Sequence, residues 1–326
     1  MKDVSVKAKA KLGNITSDYL LDSLIRENKL DVKIDYLSKN YKFISPDDNK
    51  VDVEDKLINN FFDNIRSLEY FLIGLEKQFY QMYFSKFKIY LIQDIITSIL
   101  NKSLVKNYKK FMASPFYKSM KIEKDYTFED FVKNIDDIHV KRVLEPFLNK
   151  NMDKDSIIFL SSNALIKAYY RDLLKLSKKF SSKESEIINV YLAKEINLLN
   201  FEMLYRLKFY FDVNNNEIFN YLIEGGYLFN GEKLREISSL DNEEFMKYIS
   251  KSKYKSIFKE KDFIYKNFQE RRLKLFKDEI IKERSDVLYV ISVMNVLYID
   301  IKNIICLLEM DDKYTYSQKK ELLVGR

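Results

Sequence analysis

The 326-residue chain is 46% hydrophobic and 32% charged, enough apolar residue for a core and enough charge for a solvated surface, which excludes disorder. Six glycines and three prolines are too few for the closely spaced turns of a sheet protein, so an all-α fold of long helices is expected. The formal net charge of +7 invites an acidic partner, but 56 Lys and Arg are dispersed among 49 Asp and Glu, a pattern that speaks to solubility rather than mechanism.

Taken from the start, Met1-Lys2-Asp3-Val4 has no apolar run behind it, so no secretion signal is expected. Tyr36-Leu37-Ser38-Lys39-Asn40-Tyr41 is the first of several segments that recur. Phe131-Val132-Lys133-Asn134-Ile135-Asp136 aligns without gaps on Phe245-Met246-Lys247-Tyr248-Ile249-Ser250, and the match runs on to Val143-Leu144 against Ile257-Phe258. The Tyr36 segment resembles Tyr248-Ile249-Ser250-Lys251 followed by Tyr254. Next, Leu165, Ala168, Tyr169, Leu173, Leu176 and Phe180 fall three or four apart and predict one face of a helix. Ser181 to Glu184 and Asp241 to Glu244 each place a small polar residue three before a glutamate, the signature of a capped helix start.

Glu195-Ile196-Asn197-Leu198-Leu199-Asn200 on one predicted long helix pairs with Tyr298-Ile299-Asp300-Ile301-Lys302-Asn303 on another. The matching place in the first unit, Ser85-Lys86-Phe87-Lys88, lacks both polar residues. Gly225-Gly226 reads as a helix stop, since glycine takes the left-handed turn that ends a helix. Val287, Val290, Ile291, Met294, Leu297, Ile301, Ile304 and Leu308 predict a last long helix. Its uncharged run, Val287 to Ile299, is shorter than the roughly 20 residues of a membrane span. A short helix pair, a long helix and a second long helix, written three times, predict related units over residues 1–110, 111–230 and 231–326.

No catalytic centre, cofactor site or metal site is expected. The one histidine, His139, lies in a turn region, and the one cysteine, Cys306, sits among Ile304, Ile305, Leu307 and Leu308 as a small core hydrophobe. Gly226 to Lys233 has the outer glycine spacing of a phosphate loop, but Glu232 stands where that loop needs its lysine. Asp136-Asp137 and Glu243-Glu244 are adjacent and do not share a helix face. No nucleic-acid fingerprint is present. A basic helical nucleic-acid-binding protein or a helical scaffold is the alternative reading of the charge.

One family fits these residues. Asn197-x-x-Asn200, Arg206-x-Lys208, Glu217-Ile218 and Tyr221 to Leu228, which contains Gly225-Gly226, resemble the C subunit of V-type rotary ATPases, the counterpart of subunit d of the vacuolar enzyme. Asp300-Ile301-Lys302-Asn303-Ile304 and Glu321-Leu322-Leu323-Val324 resemble that family's C-terminal region. The chain departs from it at Asn197, where members commonly carry an acid, and at Lys302, where an Arg is common. The resemblance implies a three-lobed, pseudo-threefold, funnel-like helical body without catalytic residues, cofactor or small-molecule substrate. It also implies a place on the cytoplasmic side of a membrane, as a socket between the central shaft subunits and the membrane rotor ring, with no nucleic acid partner. Asn197 and Asn200, like Asp300 and Asn303, are three apart and share a helix face. Their expected role is to hydrogen-bond nearby backbone or helix ends.

Overall fold

A computed structural model describes residues 3–117, 120, 122–148, 152–211, 213–226 and 231–326. Among them every regular element is helical, and the chain divides into two compact units, residues 1–74 with 246–326, and residues 75–245. The all-α class expected from the Gly and Pro shortage is therefore observed.

Unit 1 begins with α1 (Asp3–Leu12), α2 (Asp18–Arg26), α3 (Leu30–Asn40) and α4 (Lys50–Glu69). Unit 2 holds α5 (Gly74–Phe84), α6 (Lys86–Leu100), α7 (Leu104–Ala113), α8 (Phe128–Asn134), α9 (Ile138–Leu144), α10 (Lys154–Ser177), α11 (Ser182–Phe209), α12 (Asn215–Ile218) and α13 (Gly231–Ser239). The chain returns through α14 (Asn242–Lys251) to α15 (Ile264–Lys282), α16 (Asp286–Glu309) and α17 (Tyr316–Leu322). Short helices followed by two long stretches recur in this order. The third long pair is α15 and α16, the second α10 and α11, and the first α4 followed by α5 and α6, which are interrupted at Ser85.

Local chemistry sets several of these starts. Asn49 with Asp52, and Thr127 with Asp130, form reciprocal capping boxes at α4 and α8. Asp241 and Glu244 do the same at α14, with bonds of 2.8 and 3.2 Å. The cap expected at Ser181 differs: its carbonyl accepts from Ser185, but its side chain accepts no capping bond. Residues 181–183 are exposed, so solvent can satisfy the amides there.

The core of unit 1 gathers Leu20, Leu24, Leu37, Leu57, Ile304 and Leu307 from α2, α3, α4 and α16. In α1, Val4, Ser5 and Ala8 are buried, and α1 packs on α16, where Ser5 Oγ donates to Asp286 at 2.6 Å. Helix α16 runs past the uncharged segment through Asp300 and Lys302 to Glu309. By length and composition it is apolar enough to cross a membrane, with mean hydropathy 1.7 over its most apolar 18-residue window. That window is 67% buried within the protein, and α1, α4 and α15 cover the helix, as befits a core element.

In unit 2, α10 packs on α6, α9 and α11, and the predicted stripe residues Leu165, Tyr169, Leu173 and Leu176 are buried. Phe180 lies just beyond the end of α10 and meets Phe79 edge-on at 5.7 Å.

Candidate functional site

Among the described residues no group of three His, Cys, Asp or Glu side chains converges as a metal site would require. His139 is exposed in the first turn of α9. Cys306 is half-buried, and burial pushes its thiol up, away from the reactive thiolate. The loop that resembles a phosphate site runs through residues 227–230, which lie outside the described residues. Lys233, beside it in α13, is taken up by Glu236 at 2.7 Å.

The polar side chains that do converge tie helices together. Asn200, buried on α11, donates its amide to the Ile223 carbonyl at 2.7 Å and accepts from the Ile223 amide at 2.8 Å. Asn303 on α16 repeats the arrangement, donating to the Val324 carbonyl at 2.9 Å and accepting from the Val324 amide at 3.0 Å. One amide thus satisfies both polar groups of one backbone residue, as a paired strand would. Asn200 and Asn303 lie in different units and make the same clamp in each.

Asp300 accepts from the Thr16 amide at 2.8 Å and the Thr16 hydroxyl at 2.7 Å, and meets Arg326 at 3.3 Å. Asn197, which sequence alignment pairs with Asp300, does not share this role. Its side chain is fully buried, yet neither of its polar atoms has a hydrogen-bond partner among the described residues. Gly226 lies directly against it: a Cβ there would collide with the Asn197 carbonyl oxygen. Gly225 has φ +104°, and a Cβ would stand 2.7 Å from Leu174 on α10. The glycines are not the direct stop of a helix. The helical turn before them ends at Tyr221, and the backbone at the glycines is pressed onto α10 and α11.

Lysine tails close the carbonyl ends of other helices. Lys208 donates to the Ser238 carbonyl at 2.9 Å and to that of Leu240, collecting the C-terminal end of α13, and reaches Asn215 at 2.7 Å. Burial lowers its pKa. Arg206, two residues before it on α11, is exposed over the Phe211 ring at 5.7 Å. Lys33 in unit 1 donates to the Leu307 and Met310 carbonyls at 2.7 and 2.5 Å, at the end of α16. Burial, with the nearby Lys319 charge, brings its pKa to about 8. Each such cation meets the negative end of a helix dipole.

Nothing in the sequence marks Lys33, one lysine among many, or a buried polar cluster in unit 2. There Tyr83 Oη donates to Glu195 at 2.8 Å and lies 3.0 Å from Tyr191 Oη, while Tyr169 Oη donates to the Tyr83 carbonyl. Burial, then the Glu195 charge, raises the pKa of both Tyr83 and Tyr169. Glu195 lies in the recurring segment, with Tyr191 one turn before it on α11, but nothing in their spacing points to Tyr83, more than a hundred residues away. The arrangement ties α5, α10 and α11 to one another.

Compared with known families, residues 4–315 match the model of the ATP synthase (C/AC39) subunit. No curated protein matches the chain.

Proposed function

Because the chain belongs to the ATP synthase (C/AC39) subunit family, we propose that it is the socket of the central stalk in a V-type ATPase or ATP synthase. In this reading it joins the rotor shaft to the membrane rotor ring for ATP-linked H⁺ or Na⁺ transport, working at the cytoplasmic face of the membrane as a peripheral part of the complex. It carries torque and performs no chemistry. The three recurrences of short and long helices would be three related helical units.

The observation that supports this reading best is the clamp that Asn200 and Asn303 make in the same form on two long helices. A part that transmits torque must not yield between helices, and close-packed interiors tied at their helix ends resist deformation and pass strain on. The buried amides of Asn200 and Asn303 and the ammonium groups of Lys33 and Lys208 all go to backbone, where they hold segments together.

The test is to delete the chain, isolate membranes and measure ATP hydrolysis together with ion uptake. Hydrolysis should survive in the catalytic head while ATP-driven ion uptake falls to background. Uptake that stays coupled to hydrolysis without this chain would remove the socket role.

A further inference from the structure

Unit 2 carries a groove of about 870 Å³ that none of the ties above occupies. Its floor is one stripe of α10, apolar at Leu160, Ala164, Ala168 and Leu174. The segment Arg142–Phe147 forms one wall, and Asn220–Gly225 forms the other. Along the same stripe stand Lys167, Arg171, Lys175 and Lys178, spaced four, four and three residues apart, with Arg142 facing them from the wall. At 1.5 Å rise per residue the four span about 17 Å of one helix face. Lys167 donates to the Asn220 carbonyl at 2.5 Å, and Asp172 lies 3.3 Å from Arg171 and 3.8 Å from Lys175. Arg142 and Lys178 make no ion pair with a described residue, and among the described residues Glu224 is the one acid that lines the groove.

We propose that this groove docks an acidic amphipathic helix of a partner protein. The spacing of the cations matches acids placed three and four apart on an opposing helix, and alanines at 164 and 168 leave room for the partner's apolar side chains. The groove is walled on both sides, so a flat lipid surface would touch its rim and miss the apolar floor. The inference stands on the groove itself and is separable from the socket reading, since coupling could persist with this site empty.

The experiment titrates the full chain with a synthetic helical peptide bearing Glu and Leu on opposite edges of one face. Parallel arms use a scrambled peptide of the same composition and vesicles containing an anionic phospholipid. The ordered peptide should bind, more weakly as salt is raised, because exposed charges are screened beyond about 10 Å at 0.1 M. The double variant Arg171→Glu and Lys175→Glu should weaken it about tenfold or more, as like charges facing each other oppose docking. Ala168→Trp, which fills the floor without changing charge, should weaken it as well. Lys274→Glu with Lys277→Glu, an equal charge change on exposed residues of unit 1, should leave binding unchanged. A helical circular dichroism spectrum and an unchanged melt are required of each variant. Equal binding of the scrambled peptide, equal loss in the Lys274 and Lys277 control, or binding of the vesicles but not the peptide would each overturn the proposal.

Discussion

Replacing Asn200 with Leu tests the clamp most directly, because the two side chains have the same number of heavy atoms and the same branching. The change removes both buried bonds to Ile223, a residue only 7% exposed. An amide and a carbonyl are then left without partners, at about 1–3 kcal/mol each, so the loss should reach about 2–6 kcal/mol. Asn303→Leu breaks the same two bonds, but Val324 is half-buried and water can reach its backbone, so its loss should be smaller, about 1–3 kcal/mol. Urea unfolding followed at 222 nm, with the slope of each transition fitted separately, measures both losses. The order of the two matters more than either value. If Asn200→Leu unfolds within about 0.5 kcal/mol of the parent, or costs less than Asn303→Leu, burial does not govern the strength of the clamp and the reasoning fails.

Gly225→Ala must adopt a left-handed backbone and push Leu174 aside, so it should destabilise by about 2 kcal/mol or more; a melt like the parent's would show the segment to be loosely held. Arg284 makes two bonds, 2.6 and 2.7 Å, to the Glu279 carboxylate, whose side chain is 1% exposed. Arg284→Ala should therefore cost about 2–3 kcal/mol, and adding Glu279→Leu should recover part of the loss, as a double-mutant cycle would detect. Lys33 has a folded pKa of about 8, below the roughly 10.4 of the unfolded chain, so between these values the unfolded state binds more protons. Stability from this group should rise as pH increases from about 8 to about 10, and Lys33→Met should flatten that slope; identical slopes would exclude Lys33 as its source.

Much of the fold was legible because helices announce themselves locally. The apolar stripes of α10 and α16 and the capping box at Asp241 need only residues three or four apart. Asn200 and Asn303 were identifiable as recurring residues, but not their partners at Ile223 and Val324, since a backbone acceptor leaves no mark in side-chain identity. The glycine pair is conspicuous in the sequence, but its physical reason is not the local stop that its residue type suggests. A stop signal is local, whereas Gly226 answers to Asn197 and Gly225 to Leu174, contacts that exist only once α10 and α11 have packed. The cationic groove was hidden for the opposite reason: four lysines and arginines on one stripe look like any solvated face until walls rise beside it.

Unit 1 is assembled from residues 1–74 and 246–326, while unit 2 is continuous in sequence. On a ribosome the early helices emerge first and are completed last. Leu20, Leu24 and Leu57 wait for Ile304 and Leu307, and Thr16 waits for Asp300. At about 5–20 residues per second, on the order of ten seconds or more separates the two stretches, during which unit 2 can already form. Nascent chains of this protein should therefore spend that interval with an unsheltered apolar face on α2 to α4, and a ribosome-bound chaperone that covers such faces would be expected to hold them until α16 emerges.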